Sequence, residues 1–296
     1  MAPLDSPKTV LITGGTDGLG KAAAILLAER GYRVAAAGRS EAKRVELEGL
    51  ARSRNLTLRT VEMDVRSDAS VAAAVRGVLA DYGAIDVLIN NAGVGYMAVV
   101  EEIRMEDFKQ QFETNLFGVL RVTQAVLPGM RERRSGRILM ISSVAGLVTP
   151  PTYGAYSSSK HALEGLTNAL RLELYPFGVR VMLIEPGYIM TNFQQTAKEL
   201  ARPYSEGSSA SPYQRVYEGA WHGATKGRSG SKTTAEDCAR VMLEAIESRN
   251  PRIRYGVTPL ARLARWGKRL LSDDALDRFL RRYYGVAAPH GYGNGV

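Results

Sequence analysis

Short apolar runs alternate along this chain with longer segments in which apolar and charged positions are mixed. Residues 8–13 read as a buried strand that runs into Gly14-Gly15-Thr16-Asp17-Gly18-Leu19-Gly20 and then an Ala/Leu-rich helix to about residue 30. Residues 32–37 form a second apolar run closed by Gly38, and a charged helix follows. The pattern then predicts strands at 56–63, 85–90, 137–141 and 179–184, with helices at 67–82, from 105 to Pro128, and at 155–175. Strands alternating with helices of about 12 residues or more define βαβ units and a parallel sheet. The expected fold is therefore α/β, a Rossmann-type doubly wound parallel sheet in a single domain, with a helical C-terminal extension.

Residues 191–232 break this rhythm with Pro203, Pro212 and the cluster Gly207-Ser208-Ser209-Ala210-Ser211. A long irregular insertion in a compact domain usually serves as a lid or a binding segment. A helix at 233–248 and a last strand at 253–257 close the catalytic unit, assigned to residues 1–257 with its lid at 191–232. A separate extension occupies 258–296. There, Leu260, Leu263, Ala264, Leu270 and Leu271 share one helical face, with Arg262, Arg265 and Arg269 opposite. Ser272 can cap a second helix that gathers Leu276, Phe279, Leu280 and Tyr283.

The charge is concentrated in the same segment. The chain carries a net +9, of which residues 252–282 supply nine basic against three acidic side chains, a net of +6. No nucleic-acid-binding motif accompanies this patch, so nucleic acid is not the expected partner. A basic amphipathic helix fits three placements: a lid, a subunit contact, or a helix lying on an anionic membrane surface. The single cysteine, Cys238, excludes an intrachain disulfide, and the three scattered histidines offer no metal cluster. A strand begins within the first ten residues without a charged-then-apolar leader, and no run reaches the length of a spanning helix. A cytoplasmic protein, with or without peripheral membrane contact, is the expectation.

Tyr156 and Lys160 lie four residues apart on a predicted helix, with Ser143 thirteen residues upstream of the tyrosine. Residues at i and i+4 project from one face, about 5–6 Å apart at Cβ. An ammonium held there favours the phenolate and is expected to lower the tyrosine pKa from about 10, giving a proton donor and acceptor usable near neutrality. Taken alone, such a pair is more often a surface contact. Tyr153 is a poorer candidate, because its i+4 residue is Ser157. The glycine loop also reads as Gly15-x-x-x-x-Gly20-Lys21, but Ala22 stands where a triphosphatase P-loop needs Ser or Thr. No Gly-x-Ser-x-Gly elbow supports a hydrolase.

Thr13-Gly-x-x-x-Gly-x-Gly20, Asp64, Asn90-Asn91-Ala92-Gly93, Asn115, Ser143, Tyr156-x-x-x-Lys160 and Pro186-Gly187-x-x-x-Thr191 occur in one order. Over about residues 8–257 this set resembles the short-chain dehydrogenase/reductase family in its compact single-domain type. The resemblance implies that Gly14, Gly18 and Gly20 cradle a dinucleotide pyrophosphate, with Thr16, Asp17 and Leu19 in the same loop. It places Asp64 on the adenine amino group beside Val65. Asn90, Ala92 and Gly93 would line the cofactor, and Pro186, Gly187, Ile189 and Thr191 would reach the nicotinamide end. It implies Tyr156 as general acid, Lys160 as its electrostatic partner on the ribose, Ser143 orienting the substrate oxygen, and Asn115 holding a water that links Lys160 to solvent. A catalytically silent NADP-binding regulator is the alternative the same motifs allow.

Charge decides the expected cofactor. An NAD site of this kind usually ends its second strand on an acid, whereas this strand ends Gly38-Arg39-Ser40. Arg39 suits the 2′-phosphate of NADP(H), so NADP(H) is expected over NAD(H). The stretch from Tyr156 to Thr191, with Ala162-Leu163-Glu164-Gly165 and Leu183-Ile184-Glu185-Pro186-Gly187, is similar to the branch holding 17β-hydroxysteroid and retinol dehydrogenases. That resemblance implies a large apolar alcohol or carbonyl as substrate, and a homodimer or homotetramer.

Overall fold

A computed structural model describes residues 7–206, 210–230 and 232–286. Seven strands form one parallel sheet in the order β3-β2-β1-β4-β5-β6-β7. They are β1 (Thr9–Thr13), β2 (Arg33–Gly38), β3 (Leu58–Glu62), β4 (Val87–Asn90), β5 (Gly136–Ile141), β6 (Val179–Glu185) and β7 (Arg254–Gly256). The order reverses between β1 and β4, which pair Val10 to Val87 through Ile12 to Ile89. At such a switch point the strand ends diverge and leave a crevice for a ligand. β1 is buried along its whole length, as a strand covered on both faces must be.

The helices divide between the two faces. On one, α1 (Gly18–Glu29) packs on α9 (Ala235–Glu247). Small residues at Ala23 and Ala24 let α1 approach Met242 and Ile246 closely, and Cys238 lies in the same core. Burial pushes the Cys238 thiol up to about 12, which leaves it an inert apolar group. The other face is covered by α3 (Asp68–Tyr82), α5 (Gly118–Glu132) and α6 (Gly154–Glu173), centred on Val75, Val122, Met130 and Leu163. The solvent-side helix α2 (Glu41–Ser53) begins on Ser40, whose hydroxyl accepts from the Lys43 amide.

Three expectations change. The helix predicted to end at Pro128 runs on to Glu132, because Val119, Val122, Val126 and Met130 bury one stripe that spans the lost hydrogen bond. Its start is also divided: α4 (Met105–Phe112) passes through a π-helical turn at Glu113–Phe117 before α5 begins. Such one-turn bulges are frequent at functional sites, and this one carries Asn115. Residues 191–232 are mostly helical: α7 (Asn192–Ser205) and α8 (Gln214–Gly230) occupy the segment read as irregular. The overlooked signal is a capping box, in which Thr191 and Gln194 satisfy each other's backbone amides. Pro203 falls in the last turn of α7, where its missing N–H removes one intrahelical hydrogen bond. Gly207, Ser208 and Ser209 of the predicted flexible cluster lie outside the described residues.

The extension forms α10 (Pro259–Leu270) and α11 (Asp273–Tyr284), capped by Thr258 and Ser272. α11 packs on α8, where an added Cβ at Gly223 would fall 2.3 Å from the Tyr284 ring. The apolar face of α10 points the other way: Leu260, Leu263 and Leu270 are all exposed. Among the described residues no helix is long and apolar enough to cross a membrane.

Candidate active site

The crevice at the switch point is built first from backbone. Gly14 and Gly18 both take positive φ, +60° and +51°, which L side chains rarely adopt. Gly20 has no room for a side chain, since a Cβ there would lie 2.2 Å from the Gly14 carbonyl oxygen. Asp17 caps α1 by accepting from the Gly18 amide at 2.7 Å. The N-terminus of α1 therefore opens onto the crevice, and its unpaired amides favour an anion. Asn91 ties the loop down: its amide nitrogen donates to the Thr13 and Gly14 carbonyls, each at 3.0 Å. Thr13 returns the tie by accepting from the Asn91 and Ala92 amides.

The adenosine end is basic. Arg39 is exposed at the end of β2 with its Nη1 3.9 Å from Asp64. Arg66 holds the Asp64 carboxylate at 2.7 Å and pulls its pKa down to about 2. Arg44 donates to the Gly38 and Arg39 carbonyls, and Lys43 pairs with Asp17. No acid follows β2 directly. Thr16 packs against Gly38, where an added Cβ would meet its hydroxyl at 2.4 Å. Leu19 is half-buried beside the loop, and Val65 offers its carbonyl to Arg121. Gly14, Gly38, Arg39, Asp64, Ala92 and Gly93 line one cleft. The glycine cradle and the cationic rim together fit a phosphorylated dinucleotide.

Asn90 ends β4. Its side chain is buried inside the sheet, donating to Thr123 Oγ1 at 2.9 Å, so its own amide is engaged away from the cleft lining. Gly93 stands 3.3 Å, measured from an added Cβ, from the Asn115 carbonyl oxygen. At the far end, Thr191 faces Gly18 across the loop, and Ile189 is buried with its carbonyl held by Gln194. Gly187 is packed against Thr258, whose hydroxyl would lie 2.1 Å from an added Cβ. The loop after β6 thus rests directly on the cap of α10.

Ser143, Tyr156, Lys160 and Asn115 come together at the carboxyl ends of β4 and β5. Tyr156 is buried among rings, with Tyr153 edge-on at 6.3 Å and Phe193 of α7 at 5.8 Å between centroids. The expected lowering of its pKa by Lys160 is not what this environment produces. Burial pushes the Tyr156 phenol up to about 12, and a hydrogen bond with Ser143 opposes the rise only in part. The Lys160 ammonium instead donates to the Ile141 carbonyl at 2.8 Å, and lies 5.8 Å from the Tyr156 ring centroid. Burial brings Lys160 down to about 8, opposed by Glu164. Asn115 is fully buried, bonded to both backbone groups of Val94 and to Ser159 Oγ at 3.2 Å.

Beneath this group lies a charge cluster that motif spacing does not show. Arg254 of β7 bridges Glu185, at 2.6 Å, and Glu164, one turn beyond Lys160 on α6. Glu164 Oε1 and Glu185 Oε2 have no hydrogen-bond partner and are buried. Burial holds the Glu185 pKa above the usual carboxylate range against the opposing pull of Arg254. Glu164 was findable from its i+4 spacing to Lys160. Arg254, ninety residues further on, was not.

The family model for short chain dehydrogenase matches residues 8–201, and the chain belongs to that family. It is 40% identical over 213 residues to the uncharacterized oxidoreductase YusZ of Bacillus subtilis, covering 71% of this chain and 75% of that one. A 3-ketodihydrosphingosine reductase of Bacteroides thetaiotaomicron is 33% identical over 281 residues, which span 95% of this chain and 99% of the relative. Human retinol dehydrogenase 8 is 39% identical over 64% of this chain and 61% of its own length. Among solved structures, a short-chain dehydrogenase/reductase from Burkholderia phymatum in complex with NAD superposes with a TM-score of 0.76 at 29% identity, covering 90% of this chain and 95% of that chain. A gluconate 5-dehydrogenase from Burkholderia cenocepacia in complex with NADP and tartrate gives 0.65 at 27% identity, covering 81% and 88%. The protein is an oxidoreductase of a family whose structural neighbours hold either nicotinamide dinucleotide.

Proposed function

We propose that this protein is an NADP(H)-dependent oxidoreductase that interconverts a carbonyl and an alcohol on a large apolar substrate. The observation that carries this reading is the Tyr156 phenol, buried beside Ser143 and walled by the rings of Tyr153 and Phe193. A phenol raised to about 12 is protonated at neutral pH. It is therefore set to donate, and donation to a carbonyl oxygen is the proton step of a reduction. The nicotinamide, when bound, supplies the hydride to the carbonyl carbon. Ser143 shares the phenol's hydrogen-bonding environment and orients the same oxygen. Lys160, tied to the Ile141 carbonyl 5.8 Å from the phenol ring, keeps a cation at the base of the site, where the family resemblance places the nicotinamide ribose.

The apolar walls favour a lipid-like substrate over a small polar one, because burying a ring-lined cleft against a hydroxyl-rich substrate leaves polar groups unpaired. The end-to-end similarity to a 3-ketodihydrosphingosine reductase supports a long-chain ketone. NADP(H) is favoured by Arg39 and by the absence of an acid at the end of β2; Lys43 and Arg66 nearby are each paired to an acid, Asp17 and Asp64. The test is a panel of long-chain ketones and small hydroxylated ketones, followed by the absorbance of NADPH and of NADH. Consumption of NADPH by the long-chain ketones is expected. Turnover confined to the hydroxylated ketones, or equal rates with NADH, would overturn the substrate or the cofactor assignment respectively.

A further inference from the structure

We infer that the outward face of α10 is a docking surface for an anionic phospholipid bilayer. Leu260, Leu263, Trp266 and Leu270 recur at intervals of three or four along the helix and are 50%, 68%, 55% and 77% exposed. At 3.6 residues per turn that spacing makes one continuous stripe. The residue that seats the helix on the body is Ala261, which is fully buried, and Thr258 fixes the start by accepting from the Ala261 amide at 3.1 Å. α10 therefore presents its large apolar side chains to the outside and its small one to the protein. A helix that leaves four large apolar side chains in one outward stripe has an external partner.

Charge chooses the partner. From Pro259 to Leu270 the sequence holds Arg262, Arg265, Lys268 and Arg269, and no acid. Arg262 and Lys268 are exposed on the polar side of the helix, where long cationic side chains can reach past the apolar ones. Arg265 is half-buried and is turned toward the field of Glu185. A second copy of the chain in a two-fold contact through this helix would set two acid-free basic helices against each other, and like charges in contact oppose association. An anionic lipid surface meets both features: it takes the apolar stripe at the acyl boundary and the exposed cations among the headgroups. Trp266 in the stripe has the amphipathic ring that suits that boundary. This surface is independent of the substrate reading above.

The experiment is sedimentation of the full-length protein with vesicles of phosphatidylcholine alone or mixed in equal parts with phosphatidylglycerol, at low and high salt. Binding to the mixed vesicles at low salt, weakened by salt and absent on pure phosphatidylcholine, is expected. The double variants Leu263→Ser/Trp266→Ser and Arg262→Glu/Lys268→Glu should each lose at least ~10-fold in binding while keeping NADPH turnover on a dispersed substrate. Melting curves of both variants, expected to match wild type, separate loss of docking from loss of folding. Trp266 emission, read in Trp221→Phe protein, should shift to shorter wavelength on binding. Failure of the wild type to sediment with mixed vesicles at low salt overturns the inference. So does a dimer that dissociates in Leu263→Ser/Trp266→Ser, which would show a second copy covering this face.

Discussion

Around Lys160, three ionisable side chains from α6 and β6 are buried together, Lys160, Glu164 and Glu185, and the half-buried Arg254 of β7 joins the two carboxylates. Along α10, four basic side chains occupy one helix without a single acid. Both regions are charged, and they lie close in space, since Gly187 of the cofactor loop rests on Thr258, the cap of α10. Burial separates them. In the first, each charge has an opposite neighbour, because an unpaired charge taken out of water is costly. In the second, the exposed charges need no partner inside the molecule, and their common sign is free to serve an external one. The buried cluster is thus a part of the folded state and of the catalytic helix, whereas the α10 charges are largely dispensable to both.

The sharpest way to break this comparison is Arg254→Met, which leaves Glu164 and Glu185 buried without their shared cation. A loss of about 3–5 kcal/mol in stability is expected, read as a lower urea midpoint with an unchanged slope. An effect under about 1 kcal/mol would mean that water already reaches the cluster.

Arg39→Ala probes the cationic rim of the cofactor cleft. NADPH affinity should fall by roughly 1.5–3 kcal/mol, the range for hydrogen bonds to charged groups, with NADH affinity little changed in calorimetry. Equal losses for both cofactors would remove Arg39 from the 2′-phosphate.

Glu164→Gln tests whether the buried cluster tunes Lys160. Burial brings the Lys160 ammonium from its ordinary 10.5 down to about 8, and the Glu164 charge opposes that fall. Removing that negative charge lowers the folded pKa further, so the ammonium is lost at a lower pH. The high-pH limb of the turnover profile should therefore move down, and Glu164→Asp should restore part of it. A limb that stays in place, or moves up, contradicts the coupling.

The smallest effect is expected on α10. Arg262→Met and Lys268→Met should each change the unfolding free energy by no more than about 0.5 kcal/mol, as surface substitutions usually do. A loss comparable to that of Arg254→Met would erase the distinction between the two regions.

The same contrast explains what could be read from the chain. The strand–helix alternation was legible because each buried strand is a continuous apolar run, and the predicted strands fall on β1 to β7 within a few residues. The glycine loop, Ser143, Tyr156 and Lys160 were legible because family motifs keep fixed local spacing. The resemblance that names the family is carried by the same residues, and the family match covers residues 8–201. The helical character of 191–232 was hidden by Pro203 and by small polar residues that mimic a loop. The tyrosine pKa was misjudged because spacing fixes which side chains are near one another but not where an ammonium points or how much water is left. Lys160 turns to the Ile141 carbonyl, and desolvation decides the phenol. Phe193 escaped because its contact with Tyr156 crosses a long stretch of sequence. The stripe on α10 was visible as a pattern, yet only the seat of Ala261 shows which way it faces.

The central claim is that the buried Tyr156 hydroxyl delivers the proton of a carbonyl reduction, and Tyr156→Phe removes that hydroxyl while keeping the ring between Tyr153 and Phe193. Single-turnover NADPH oxidation with a long-chain ketone, measured beside NADPH binding, tests it directly. The account predicts a fall in turnover of at least ~10² with cofactor affinity unchanged. Turnover within a few-fold of wild type would contradict it and assign the proton to another group.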